Sequence, residues 1–381
     1  MNNKRSFSQY FLTVTFILLF IGLAVSFIII PDKDFSENEN RVLTTLPDFS
    51  LKKLFFEDYT SELSDYCSDQ FPWRDVFVNI KSSGEILMLK GESSGIIPSK
   101  NGYLISDLGI ADEKTIKENL SHIDAFAQKC PVPVYSALVP TSSYVLRDKL
   151  PFLYPVAEVE RHYQILDANM PESVTKIDLS TTLCDHSSEY IYYKTDHHWT
   201  SLGAYYAYVR IVTDLGQTPY SLSEFTRETV SDEFFGTTWS FAGIPFVSPD
   251  EMELFRFEND GDYTVLINNK TTQSGLYDFA AIAAKDKYSA FVTNTVNGLI
   301  KISSENNSET LVIIKDSFAH SIAPFLARHY NIVMIDPRYH TILRGSVDKI
   351  IEQENATAVL FLMGTQGIFD GSGKLSTLRN N

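Results

Sequence analysis

The sequence predicts an α/β domain, a parallel sheet flanked by helices, behind a single N-terminal membrane helix. Three observations point there. Short apolar runs alternate with amphipathic stretches of helical spacing between residues 113 and 363. Residues 10–30 form an apolar stretch with no charge. The region 220–300, rich in aromatics, Gly, Asn and Thr, breaks the alternation and reads as a β-rich insertion. With 381 residues, 44% of them hydrophobic and 13% aromatic, the chain can bury a sizeable core.

The elements follow in order. "YFLTVTFILLFIGLAVSFIII" (10–30) would span about 31 Å as a helix at roughly 1.5 Å per residue, close to the thickness of a bilayer's hydrocarbon core. Lys4 and Arg5 precede it, which predicts a cytoplasmic N-terminus and an exported C-terminal bulk. Ala24 and Ser26 would also suit signal-peptide cleavage, but apolar residues continue through Ile30 and favour an uncleaved anchor over residues 1–30. Residues 31–90 read as an extracytoplasmic stalk and helical collar: "PDKDFSENENRVLTTLPDFSL" is polar and extended, and Phe77, Ile80, Gly84 and Leu87 then recur at helical spacing.

Within 91–381 the spacing predicts a helix over 113–129, a strand over 132–140, a helix near 158–169 and a strand over 174–179. Strands at 310–316, 331–336 and 357–363 follow, separated by helices at 318–329 and 344–353. Such alternation argues a parallel sheet covered on both faces.

Charge excludes one class of partner. At −16 net, with no basic patch interleaved with aromatics, the surface repels nucleic-acid backbones. Cys67, Cys130 and Cys184 are the only cysteines, so at most one disulfide closes within the chain, and their spacing is not that of a metal knuckle. They read as small buried hydrophobes.

The chemistry concentrates in two segments. "TLVIIKDSFAHSIAPFLARHY" ends a strand at Lys315-Asp316 and opens a helix with Ser317, where N–H groups and the helix dipole favour a developing oxyanion. Taken alone, the junction favours Ser317 as a plain N-cap. A serine nucleophile needs a base, itself oriented by an acid, and "YYKTDHHWTSLGAYY" (192–206) offers both ahead of a helix. Asp196 and His198, two apart, share a side of an extended backbone, so Asp196 can hold one ring nitrogen while the other faces Ser317. His197 is then expected to point the opposite way, and Trp199 to wall the site, stack on a sugar or pack. His320 is expected at the solvent or cleft rim.

"DHHW" followed by "TSLGAYYAY", the later "KDSFAHSIAPFL" and the early "ENRVLTTLPDF" together resemble the DHHW family over about residues 35–365. The family looks related to the SGNH-hydrolase-like proteins of alginate-type polysaccharide O-acetylation. The resemblance implies an SGNH-hydrolase-like fold and an acyl-transfer triad of Ser317 (nucleophile), His198 (base) and Asp196 (orienting acid). It also implies a cell-envelope polysaccharide or glycan as substrate, and a multi-spanning membrane O-acyltransferase partner delivering acetyl groups. One departure stands out: Lys315 occupies the position where those relatives tend to have glycine.

Further substrate or oxyanion candidates are Tyr193, Trp199, Lys315, Phe318, Arg338, Gly364 and Gln366. Arg338 could contact an anionic sugar or pair with a carboxylate, and "FLMGTQG" could lend a donor or be a plain glycine-rich turn. Thr141 to Ser143 also follow a strand at the ligand-bearing edge. Two other functions compete with acyl transfer. A metal-dependent hydrolase could use Asp196, His197 and His198, although adjacent histidines diverge from an extended backbone and no H-E-x-x-H spacing occurs. A non-catalytic glycan-binding scaffold would fit Lys315 in place of glycine. The expectation is an enzyme that needs no cofactor and no metal.

Overall fold

The computed structural model describes residues 2–36, 41–56, 59–88, 90–293, 298–339 and 347–380. The chain divides into two compact units, Met1–Ser93 with Gly243–Pro245, and Ser94–Ala242 with Phe246–Asn381.

In the first unit, helix α1 (Asn2–Ile29) contains a segment, Phe7–Ile29, long and apolar enough to cross a membrane. Three further helices follow: α2 (Leu51–Phe56), α3 (Tyr59–Asp69) and α4 (Arg74–Leu87). The stretch after α1 is not a free stalk. Tyr66 on α3 donates its hydroxyl to Asp32 and meets the Phe27 ring edge-on, while Thr44 N–H and hydroxyl donate to Asp69. The predicted collar stripe forms a helix, yet Phe77, Ile80 and Leu87 remain exposed on it.

In the second unit the principal strands are β1 (Val134–Val139), β2 (Thr175–Lys176), β3 (Thr226–Phe234), β4 (Asp250–Arg256), β5 (Thr264–Ile267) and β6 (Thr271–Ser274). Then come β7 (Leu299–Ser303), β8 (Thr310–Lys315), β9 (Asn331–Ile335) and β10 (Ala358–Gly364). Eight of them form one sheet in the order β6-β5-β7-β9-β8-β10-β1-β2. From β9 to β2 neighbours run parallel; β7, β5 and β6 extend the sheet antiparallel. The region 220–300 is therefore only partly an insertion. Its hairpin β3–β4 stands outside the sheet, while β5, β6 and β7 belong to it.

Period-two burial explains why these runs are strands. Along β8, Leu311 and Ile313 enter one core and Val312 and Ile314 the other, all fully buried. The first core is closed by α7 (Ser201–Asp214) and α9 (Phe318–Leu326), the second by α5 (Glu113–Ala127), α6 (Val156–Ala168) and α10 (Val347–Gln353). Helix α5 begins where Asp112 accepts from the Lys114 N–H, and it buries Ile116, Leu120 and Ile123 on one stripe. Helix α7 is capped by Thr200, which accepts from the Gly203 N–H. Residues 344–346 of the helix expected at 344–353 lie outside the described residues. The carboxyl ends of β8, β9 and β10 deliver Ser317, Asp336 and Gly364 to one edge, where ligands bind in open parallel sheets.

Candidate active site

Two segments distant in sequence meet at that edge. One is the bend 193–198, closed at its base by a bridge between Tyr192 and Trp199 and by Tyr193 N–H donating to His198 carbonyl oxygen. Asp250 on β4 holds it from beneath: the carboxylate, 2% exposed, accepts from the N–H groups of Lys194 and Thr195 and from the hydroxyls of Thr195 and Tyr190. The other segment is the β8–α9 turn bearing Ser317.

The bend is tighter than an extended strand. Asp196 Oδ1 accepts from the backbone N–H of His198 at 3.0 Å and from His198 Nδ1 at 2.5 Å, a side-chain-to-backbone turn that turns both residues inward. With Nδ1 donating, His198 Nε2 presents its lone pair to the Ser317 hydroxyl at 2.7 Å. Asp196 is 2% exposed and His198 4%. Burial works to raise the Asp196 pKa, but the His198 and His197 imidazoles and the bonds from His198 outweigh it and hold the carboxyl far below its ordinary range.

A second shelf fixes the acid. Helix α8 (Thr237–Ala242) begins under Asp196, whose Oδ2 accepts from the Thr237 N–H at 2.7 Å and the Thr237 hydroxyl at 2.9 Å. A Cβ on Gly236 would lie 2.2 Å from the Asp196 Cβ, so only glycine lets the two backbones approach this closely. Tyr288 stacks on the His198 ring at 3.9 Å and 10°. Sequence reasoning missed Gly236, Thr237, Asp250 and Tyr288. "FGTTW", with a glycine before two threonines, was the one local signal, and nothing local tied it to Asp196.

His197 does not point the opposite way. Its ring lies 3.8 Å from that of His198, and it lines the same cleft. The Thr237 hydroxyl gives its hydrogen to Asp196, so His197 Nδ1 donates to Thr237 Oγ1 at 2.8 Å. Burial and the neighbouring His198 bring the His197 pKa down to about 4. Because the bend brings the two histidines together, ligand atoms of Asp196, His197 and His198 lie within 4.8 Å of one another. Both Asp196 oxygens and both His198 nitrogens are nevertheless engaged in the hydrogen bonds above, a pattern that suits proton relay better than ligation.

The cleft encloses about 480 Å³ and is lined by Ser317, Phe318, Arg338, Gly364 and Gln366 among others. Four expected contacts take other roles. Trp199 is fully buried and donates its indole N–H to Ser321, and Tyr193 is buried against Phe234; neither lines the cleft. Lys315, 2% exposed, turns inward, with Nζ 2.8 Å from His320 Nε2 and 3.3 Å from Asp336. His320 is thus buried instead of rimming the cleft, its pKa pushed well below the ordinary value by burial and by Lys315. Asp316 takes the backbone N–H groups of Phe318 at 3.0 Å and Gly364 at 2.7 Å, so neither is free for an oxyanion. The Ser317 N–H has no partner among the described residues. Arg338 lines the cleft while its Nε and Nη2 grip Asp336 at 2.9 and 2.6 Å. Thr141 and Ser143 bond each other, and Thr141 bonds Tyr163, away from the cleft.

A family model described as DHHW protein matches residues 99–336, spanning the bend and the serine turn. The chain belongs to the DHHW family. Among solved structures, a DHHW family protein from Eubacterium siraeum is similar at a TM-score of 0.65 and 24% identity, covering 76% of this chain and 96% of that one. Bacillus cereus PatB1, solved with a sulfonyl adduct, is similar at 0.58 and 21%, covering 72% and 96%. The O-acetyltransferase domain of Pseudomonas putida AlgJ is matched at 0.47 and 14%, covering 75% and 99%. No curated protein matches the chain. The first two likenesses show that this DHHW chain shares the fold of those proteins.

Proposed function

We propose that this DHHW protein is a membrane-anchored acyl-transfer enzyme, an O-acetyltransferase or acetylesterase acting on a cell-envelope glycan outside the cytoplasm. One observation carries the reading: the unbroken hydrogen-bond chain from Asp196 through His198 to the Ser317 hydroxyl at the edge of a cleft. In this reading His198 Nε2 takes the Ser317 proton as Oγ attacks the acyl carbonyl carbon. The negative charge gathers on the carbonyl oxygen, toward the Ser317 N–H and the start of α9. Collapse breaks the bond to the donor oxygen, which leaves with the proton from His198. An acceptor hydroxyl then gives its proton to His198, attacks the acyl-serine and restores Ser317; water in that place makes the reaction hydrolysis.

The inward turn of Lys315 supports this reading over a scaffold role, because the side chain that replaces glycine does not occupy the cleft. The helix Phe7–Ile29, with Lys4 and Arg5 before it, supports an anchor with the catalytic unit exported, where a multi-spanning O-acyltransferase would supply the acyl group.

The test uses a fluorophosphonate or sulfonyl fluoride probe and an acetyl ester. The unmodified chain should be labelled once, at Ser317, and Ser317→Ala should lose labelling and at least a thousand-fold in turnover while its circular dichroism is unchanged. Full turnover by Ser317→Ala would end the proposal.

A further inference from the structure

The cleft at Ser317 continues past its own rim. Asp107 and Gln366 line both it and a second cavity of about 320 Å³. Each cavity falls within the roughly 300–1,000 Å³ usual for ligand sites. At the second cavity lies His162 of α6, only 2% exposed. Its Nδ1 is 2.8 Å from the carbonyl oxygen of Glu158, and a carbonyl only accepts, so Nδ1 carries the hydrogen. Nε2 has no partner among the described residues although the ring is almost wholly buried and borders the cavity.

The walls are rich in acceptors. Asp112 and Asp370 present carboxylates whose bonds to local donors leave further lone pairs open: Asp370 accepts from the Ser372 N–H, and Asp112 from the Lys114 N–H and the Thr115 hydroxyl. Among the described residues no lysine or arginine lines this cavity. Arg338, in the first cleft, has its charge met by Asp336. Ile110 and Phe369 add apolar surface suited to the C–H face of a sugar ring. A site made of acceptors calls for a ligand made of donors: hydroxyls, or an ammonium. A carboxylate or phosphate there would meet the carboxylates of Asp112 and Asp370.

We infer that the second cavity is a subsite for the neighbouring sugar of the acceptor glycan, selective for uncharged or amine-bearing sugars over uronic acids and phosphorylated sugars. As an acceptor subsite it rests on Ser317 being the acyl-transfer centre, but its ligand chemistry does not, and the two can be tested apart.

The full chain carrying Ser317→Ala, in detergent, would be titrated calorimetrically with three tetrasaccharides: β-1,4-linked N-acetylglucosamine, its N-deacetylated form, and galacturonate. The first two should bind, and galacturonate should bind at least ten-fold more weakly. Adding Asp370→Asn, which keeps an oxygen for the Ser372 N–H, should weaken the amine-bearing tetramer at least three-fold and narrow its margin over galacturonate. His162→Gln should weaken both glucosamine-based tetramers. Galacturonate binding as tightly as the others overturns the inference. So does the absence of any binding, or unchanged affinities in both added variants. A chain still labelled at Ser317 that binds no tetramer removes the subsite alone. A chain with selective binding but no labelling removes the serine reading and leaves the subsite.

Discussion

Asp196 depends on neighbours that have no chemistry of their own. Gly236→Ala would push a methyl group to 2.3 Å from Asp196 Oδ2, and the carboxylate must move away from His198. Turnover of an acetyl ester should fall at least a hundred-fold, with the fold preserved by circular dichroism. Thr237 permits a graded version of the same experiment. Thr237→Val removes one of two hydrogen bonds to Asp196 Oδ2, and a bond to a charged group is worth about 1.5–3 kcal/mol. If that energy serves orientation, kcat should fall about ten- to a hundred-fold, whereas Thr237→Ser should stay near wild type. Equal rates for Val and Ser would mean that the backbone N–H suffices. Metal chemistry is tested at the same residues: dialysis against a chelator should leave labelling of Ser317 and ester turnover unchanged, and loss restored by zinc would favour the Asp196–His197–His198 cluster as a metal site.

At the scale of elements, the bend 193–198 is held by a strand from another part of the chain. Asp250 on β4 gathers four donors from residues 190–195, and Asp250→Ala would leave the Lys194 and Thr195 N–H groups without it. Each buried unsatisfied group costs about 1–3 kcal/mol, so a thermal melt should show a loss of a few kcal/mol, accompanied by loss of ester turnover. Asp250→Asn, which keeps one acceptor oxygen, should lose less of both; an Ala variant as stable as wild type would show that the bend holds itself. The strands themselves were legible wherever both faces are buried. The expected runs 310–316, 331–336 and 357–363 agree with β8, β9 and β10 to within a residue at each end, since a central parallel strand is a continuous apolar run. Strands β5 and β6 were not separately legible. Both are only four residues long; β6 is wholly polar at the sheet edge, and β5 is too short a run to stand out by itself, so their membership is a property of β7 as much as of themselves.

For the whole molecule, neutral histidines, His320 buried and His329 half-buried, set the response to acid. Burial and Arg328 bring the His329 pKa down to about 4, and His320 lies well below its ordinary value. Unfolded histidine titrates near 6.5, so the stability these groups contribute is complete above that pH and is lost as pH falls toward about 4. Asp250 and Asp316, raised by burial, work in the opposite direction as they take up protons, while the depressed Asp196 and Asp336 carboxyls matter only at lower pH. The melting temperature should therefore fall between pH 6.5 and pH 4. His329→Gln, which removes one such histidine where it meets the Tyr208 hydroxyl, should flatten the slope. An identical slope in the variant would assign the effect elsewhere.

The sequence by itself located the apolar N-terminal segment, the alternating α/β plan and the three side chains, Asp196, His198 and Ser317, that the structure joins by hydrogen bonds, because periodicity, apolar length and motif chemistry are local properties. Tertiary structure decided which way each side chain faces. The bend at 193–198 turned His197 into the cleft, strand end β8 turned Lys315 away from it, and Trp199 and Tyr193 were taken up by the core. It also decided the support of the site by Gly236, Thr237, Asp250 and Tyr288, which approach from 38 to 90 residues away from His198 along the chain. Contacts across such separations exist only once the backbone has closed on itself, so no local pattern carries them.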